Sequence, residues 1–438
     1  MAMYFMRGWS YTHALSTLIL LVIAIGTAMA QDDRTATPPS PVLRNLVRGT
    51  LDKNPGVQAA WAAVTAAEAR VRSADLPLYN PQLVVGAERA ETRTGSLGMR
   101  QAIDWADKRG ARTDVADAEL NMVRAEYAAV RQQLGGELLT SLGRHHTTQS
   151  LKQLAQQRAV LMQRFLDLAE KRNQAGDLSQ IELNLARLAR TQAILQLSQT
   201  ASDLAVTAQA LAAVTGQGLA DVTGKLIRRD WPMLPTDLPE LQAIDAKSIL
   251  NNLPELRVLQ ARVRAARASV ILRTRERRPD PTIGVRAGLE QSFRNGKDDT
   301  YGLTGLTLNI PLYVRNSFRA EVEVAGAELT QAEQSLQDSY RRAHARLLSA
   351  ADRYRLSRSA WGAWLRTGQS SLGNQVSLLE RIWRSGEMST ANYLMQLNQT
   401  LDVRTDALDV QGRLWTAWAD WLVASGQLDA WLGQVKQQ

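Results

Sequence analysis

The sequence predicts a mainly α protein with a small β part, laid out twice along one chain. Three observations point there. Landmarks of the first half recur in the second at a nearly constant offset. Apolar residues keep a seven-residue spacing over stretches far longer than an ordinary globular helix. Four runs with alternating apolar residues sit in two pairs, one pair per half.

The 438 residues begin with a segment of different character. Arg7 precedes the apolar run Ala14 to Gly26, and Ala28-Met29-Ala30 has the small-x-small form of a cleavage site. Thirteen apolar residues are short for a span of roughly 20. Residues 1–30 are therefore expected to be a cleaved secretory signal, with a mature chain from Gln31. No later stretch is long and apolar enough for a transmembrane helix, so any membrane-spanning part must be made of strands.

The doubling defines the rest. Asn54-Pro55 opens a helical stretch and Leu253-Pro254-Glu255 opens another 199 residues later. Asn80-Pro81 leads into QLVVGAERA, and Asp280-Pro281 leads into TIGVRAGLE, an offset of 200. QAIDWADKRGAR (Gln101 to Arg112) parallels LNIPLYVRNSFR (Leu308 to Arg319), offset 207. AGDLSQIELNLARL (Ala175 to Leu188) parallels SGEMSTANYLMQL (Ser385 to Leu397), offset 210. The expected organisation is a first structural repeat over 31–230, a Pro-rich linker over 231–244 and a second repeat over 245–438.

Each repeat reads as a helix, two strands, a very long helix, a Gly-centred turn and a last helix. In the second, Ile283, Val285, Ala287 and Leu289 share one strand face, and Leu306, Leu308, Ile310 and Leu312 share one face of a return strand over Tyr301 to Tyr313, with SFRNGKDDT as the turn. Weaker counterparts occupy Gln82 to Ala90 and Leu97 to Trp105, around ETRTGS. The long helices are expected over Gly110 to Arg172 and Ser317 to Arg384, roughly 90–100 Å each. Leu154, Leu161 and Leu168 with Phe165, Leu347, Tyr354 and Trp361, and Leu401, Leu408, Trp415 and Leu422 set coiled-coil seams.

Four strands cannot close a barrel, since the smallest common barrels need eight. An open edge in lipid leaves backbone groups unpaired at several kcal/mol each. Strands of this kind in a membrane require several chains to share one barrel. The bland alternative is a pair of soluble hairpins on a coiled coil.

YNPQLVVG, PDPTIGVR, IPLYVRNSFRAEV and the turns RNQAGDLSQ and RSGEMSTAN, in this order and doubled, resemble the TolC-like outer-membrane efflux protein family. QAIDWADKRGAR is similar to a Trp-Pro-Gly-Lys-Arg signature of the heavy-metal, CzcC-like branch; Trp105, Lys108 and Arg109 are kept, with Ala106 and Asp107 in place of proline and glycine. The resemblance implies a TolC-like helical barrel on a four-strand contribution to a shared transmembrane β-barrel. It implies a homotrimer in the outer membrane, in contact with its lipid, with a long periplasmic extension. It also implies two partners, a periplasmic adaptor protein and an inner-membrane pump of the resistance-nodulation-division type. The chain would then be a passive exit channel, with metal cations the cargo of that branch and drugs or a type I secretion substrate the alternatives within the class.

The turns Gly176-Asp177-Leu178-Ser179 and Gly386-Glu387-Met388-Ser389 end the long helices, where Gly permits the left-handed C-cap and Asp, Glu or Ser complements the next helix. The resemblance makes these tips adaptor contacts. It places the periplasmic gate near Glu182 in the first repeat and near Asn392 and Met395 in the second, where the acid is missing. Met395 is read first as a packing residue.

His145-His146 points its two rings about 100° apart and is read as surface or interface histidines, as is the lone His344. Seven of eleven tryptophans follow residue 360, and Trp415, Trp418 and Trp421 stripe one helix face as packing residues. With no cysteine, thiolate metal sites and disulfides are excluded. Gly218 to Lys225 imitates a phosphate loop but has the wrong spacing and Leu226 where Ser or Thr is required. No catalytic constellation, cofactor site or resident metal site is expected, so the chain reads as no enzyme. The formal charge of +9 raises nucleic acid as a partner; a secreted chain with Arg interleaved among Asp and Glu argues against it. The arginines of RTRERRPD (Arg273 to Asp280) read as a solvated helix end or a lipid-headgroup contact. A non-channel periplasmic coiled-coil structural or adhesive protein is the rival class.

Overall fold

The computed structural model describes residues 39–216, 243–294, 297–368 and 375–433. The signal segment, the phosphate-loop imitation and all but the last two residues of the linker lie outside them.

The order is α1 (Pro41–Lys53), α2 (Pro55–Ala74), β1 (Gln82–Arg89), β2 (Thr92–Ala102), α3 (Lys108–Gln174), α4 (Gln180–Thr215), then α5 (Ala243–Asn252), α6 (Pro254–Glu276), β3 (Thr282–Arg294), β4 (Lys297–Asn309), α7 (Arg319–Ala363), α8 (Gln375–Arg384), α9 (Thr390–Ala424) and α10 (Leu428–Trp431). The two proline landmarks break helices at matching places. Asn54 and Leu253 are N-caps with nearly identical backbones (φ −68°, ψ 127° and φ −67°, ψ 125°), each followed by proline at the first helical position. Only Asn54 has a side chain that caps, accepting from Gly56 N at 2.8 Å.

The 67 residues of α3 run roughly 100 Å. The second long helix departs from expectation. It is regular to Ala363 and then turns π-helical over Trp364–Gly368. A Cβ on Gly368 would lie 2.1 Å from Trp364 Cε3, so the missing side chain makes room for the indole over this widened turn.

Two separate cores hold the other helices to α3, one at its middle and one towards its C-terminal end. The upper core joins Leu43, Leu51, Leu138, Leu139, Leu347 and Tyr354 to the tryptophan stripe, all buried. Trp415 Nε1 donates to Leu139 O at 2.7 Å, and Gly143 leaves space for its ring. The lower core stacks Phe165 against Trp383 (4.7 Å) and Tyr393 (5.0 Å), fastening α3 to α8 and α9. Burial pushes the Tyr393 phenol up to about 12. The heptad positions thus pack as the spacing requires.

The strands form one antiparallel meander, β1-β2-β3-β4. The first hairpin turns at Ala90 and Glu91, so Thr92 to Ser96, read from sequence as turn, belongs to β2. The second hairpin likewise extends into the supposed turn, to Arg294 and from Lys297. At its other end β4 stops at Asn309, because Pro311 has no N–H for a ladder and Ile310 to Tyr313 leave the sheet.

Candidate functional site

The sheet has one apolar face. Leu83, Met99, Val285 and Leu306 lie side by side across all four strands, and each is more than half exposed. Leu97, Ile283, Leu289 and Leu308 extend this band. The opposite face carries Arg100, Ser96, Thr94, Arg286, Glu290 and Thr307. Arg286 fits because its neighbours there are Gly98 and Gly305; a Cβ on either would touch its side chain. Both β1 and β4 keep a free edge in the chain described. An apolar outer face, a polar inner face and two free edges suit a barrel wall that continues into another chain.

Below the strands the chain is tied at one buried point. Lys108 Nζ sits 2.9 Å from Asp280 Oδ2, and Tyr79 Oη donates to the same oxygen at 2.5 Å. Burial, and then the Asp280 carboxylate, push the Tyr79 phenol above its ordinary range. Asp104 accepts from Lys108 N (2.8 Å) and Arg109 N (2.7 Å), and Asp107 accepts from Gly110 N (3.1 Å), so two carboxylates occupy the free N–H groups of α3.

Asp107 stands where the heavy-metal signature has glycine, and it adopts the left-handed conformation (φ 54°) that glycine favours. Arg275 holds it there, 2.6 Å from Oδ2 and 2.5 Å from the main-chain oxygen. Arg273 pairs with Glu276 and Arg277 donates to Ser317 O. Two of the four arginines of this cluster, Arg275 and Arg277, thus bond across the junction. Trp105, Leu312 and Val314 are exposed at this level, as suits a membrane interface.

At the far end both tips close in the same way. Gly176 (φ 82°) and Gly386 (φ 80°) are left-handed. Asp177 N donates to Arg172 O and Gly176 N to Asn173 O, while Glu387 N donates to Ile382 O and Gly386 N to Trp383 O. These are two Schellman motifs. Ser179 and Ser389 are N-caps. Gly176, Asp177, Gly386 and Glu387 are exposed; Leu178 is buried in the lower core and Met388 half-buried against it.

Glu182 forms a capping box with Ser179. The hydrogen bond to Ser179 N–H, the leading cause, holds its carboxyl below the usual range, with Thr390 at the start of α9 a lesser contributor. The nearness of the two tips here has no signature in sequence. Asn392 and Met395 are exposed on α9.

Higher up, His145 is buried with Nδ1 unpartnered, and burial lowers its pKa. It is an interface residue, not a surface one. Among the described residues no group of three His, Cys, Asp or Glu could hold a metal ion, and no helix is long and apolar enough to cross a membrane.

Long paired helices below a sheet that is apolar on one face and open at both edges are the fold of TolC-like outer-membrane channels. Residues 46–217 match the outer membrane efflux protein family. The chain is 26% identical over 320 residues to the cobalt-zinc-cadmium resistance protein CzcC of Cupriavidus metallidurans, covering 70% of this chain and 73% of that one. It is also 26% identical over 329 residues to the pyoverdine export outer membrane protein OpmQ of Pseudomonas putida, covering 69% and 67%. Its fold is that of the Campylobacter jejuni CmeC outer membrane channel (TM-score 0.72, 15% identity, 94% of this chain and 92% of that one). By sequence and by fold the chain is thus similar to outer-membrane efflux channels.

Proposed function

We propose that three copies of this chain close one twelve-strand barrel in the outer membrane, with their helices forming a tunnel through the periplasm, and that the duct releases metal cations delivered by a resistance-nodulation-division pump through a periplasmic adaptor. The observation that carries the reading is the sheet with an apolar outer face and two free edges, set on helices of roughly 100 Å. On this reading 31–230 and 245–438 are two repeats that make the tunnel pseudo-sixfold. The exposed tip residues Gly176, Asp177, Gly386 and Glu387 meet the adaptor, with Ser179 and Ser389 shaping the turns and Leu178 and Met388 bracing them from inside. Glu182, Asn392 and Met395 stand where the tunnel narrows.

The similarity to CzcC supports metal ions as cargo. An equal identity to a pyoverdine exporter supports a second reading, an organic chelator. Deleting the gene separates them. Hypersensitivity to cobalt, zinc and cadmium with unchanged release of organic chelators favours metal cargo; unchanged metal tolerance refutes it.

A further inference from the structure

The polar face of the sheet carries two cations that its own packing does not use. Arg100 on β2 pairs with Gly284, and Arg286 on β3 pairs with Gly98, so the two arginines stand diagonally to each other. Residues so placed have Cβ atoms roughly 7–8 Å apart. Both side chains are exposed, and neither is in an ion pair among the described residues. Each stem lies across a glycine of the next strand. A Cβ at Gly284 would fall 2.8 Å from Arg100 Cγ, and one at Gly305 would fall 2.9 Å from Arg286 Nε and 3.2 Å from its Cγ. Arg100 thus leans onto β3 and Arg286 onto β4, both in the same direction around the wall.

No carboxylate balances them at this level. The two rows that hold them across the four strands are completed by Gln82, Thr307, Val84 and three glycines. Going up the strands, the first acids on this face are Glu88 and Glu290, which share a row. Glu290 is four residues beyond Arg286, roughly 13 Å away, which exceeds a Debye length of about 8 Å at physiological salt. Going down, Asp280 is committed to Lys108, and Asp104 to the first N–H groups of α3. Like charges close together on one face weaken a sheet. The doubled plan does not impose them either, since at the offsets of the two halves Arg100 answers to Thr307 and Arg286 to Gly86.

We infer that Arg100 and Arg286 form an oxyanion-binding girdle inside the barrel, taking the carboxylate or phosphate oxygens of a departing solute. A guanidinium presents its N–H groups as a fork that matches such oxygens two at a time. The inference rests on the shared-barrel reading and deepens it, because three chains set six guanidinium groups around the lumen at this level. A bare divalent cation is repelled there, and a metal ion crosses it held in an anionic chelate. The substrate class is therefore a polyanionic chelate, with or without its metal.

The chain has no cysteine, so one introduced thiol reports on its own surroundings. Three full-length single-cysteine proteins are compared in outer-membrane fractions: T307C, separated from Arg100 by Gly284 alone; Y301C, in the row of Glu290; and L306C, on the apolar face. Each is made with the arginines intact, with R100Q/R286Q and with R100K/R286K, and is checked unboiled for the trimer. Rates of reaction with a sulfonate-bearing and a trimethylammonium-bearing methanethiosulfonate are then measured. T307C is expected to favour the anionic reagent. R100Q/R286Q should cut that preference about tenfold, and R100Q or R286Q alone about threefold, which keeps the test readable if the double variant fails to assemble. R100K/R286K should keep the preference, and Y301C, roughly 20 Å along the strand, should not respond to the arginines. Citrate should slow the labelling of T307C more than chloride at equal ionic strength, and R100Q/R286Q should abolish that difference. A reagent preference unmoved by R100Q/R286Q and by both single variants, or citrate no better than chloride, overturns the girdle and leaves the barrel standing. L306C labelled as fast as T307C, or a monomer in the unboiled sample with intact arginines, sinks the shared barrel and the girdle with it.

Discussion

Lys108 Nζ lies 2.9 Å from Asp280 Oδ2, with both side chains more than nine-tenths buried, and this pair joins the start of the first long helix to the entry of the third strand. Asp280 Oδ1 is buried without a partner, so Lys108 and Tyr79 carry the whole compensation for a buried carboxylate. Lys108→Met is expected to destabilise the protein by about 3–5 kcal/mol, because it strands that charge. Adding Asp280→Leu to it should recover most of the loss. Thermal dissociation of the single and double variants checks this; a K108M protein with unchanged thermal dissociation contradicts it.

The left-handed backbone at Asp107 gives a second prediction. Asp107→Gly relieves roughly 1 kcal/mol of backbone strain and forfeits the cap to Gly110 and the partly exposed bond to Arg275, so the change should be small. Asp107→Val loses the same bonds and cannot adopt φ 54° without strain. A clear gap in thermal stability between the two variants is expected, and equal losses would show that the backbone is not what matters.

Packing of Trp415 on Gly143 can be tested alone. A Cβ at Gly143 would fall 1.8 Å from Trp415 Cδ1, and the indole is anchored by its bond to Leu139 O. Gly143→Ala should therefore cost at least about 1–3 kcal/mol and alter the near-ultraviolet circular dichroism of the tryptophan stripe. Gly326→Ala, with open space around it, is the control.

Acidification should weaken the fold in two steps. His145 is held neutral, its folded pKa lying below 6.5. Its contribution is present above 6.5 and lost as pH falls below that value, because the unfolded chain takes up a proton that the folded one refuses. Glu182 is held ionised, its folded pKa lying below 4.5. Its contribution is present above 4.5 and lost as pH falls through the depressed value. Thermal stability measured against pH should lose the upper step in His145→Gln and the lower step in Glu182→Gln. A histidine variant with an unchanged slope just below 6.5 would count against the first assignment.

Much of this was legible in sequence because it rests on periodicity and special residues. Gly176 and Gly386 announce left-handed caps, Asn54-Pro55 and Leu253-Pro254 announce helix starts, and the seven-residue spacing of Leu401, Trp415 and Leu422 announces burial. Strand limits were less legible. Thr92 to Ser96 has the composition of a turn, yet alternate residues of a barrel strand can face a polar interior, where Thr and Ser are at home. The π-helical turn at Trp364 depends on an indole lying over Gly368, a contact that no local propensity encodes. The same holds for Lys108 with Asp280, which lie 172 positions apart and meet only when the two halves pack. The proline landmark before β3 marked the position of Asp280 but not its partner.

The four strands of one chain leave two edges open, so the proposed barrel takes several chains to close. Native mass spectrometry of the protein extracted in detergent from outer-membrane fractions tests it most directly. A single species with the mass of three mature chains is expected. A monomer that stays folded and membrane-bound, its β1 and β4 edges unpaired by any second copy, would contradict it.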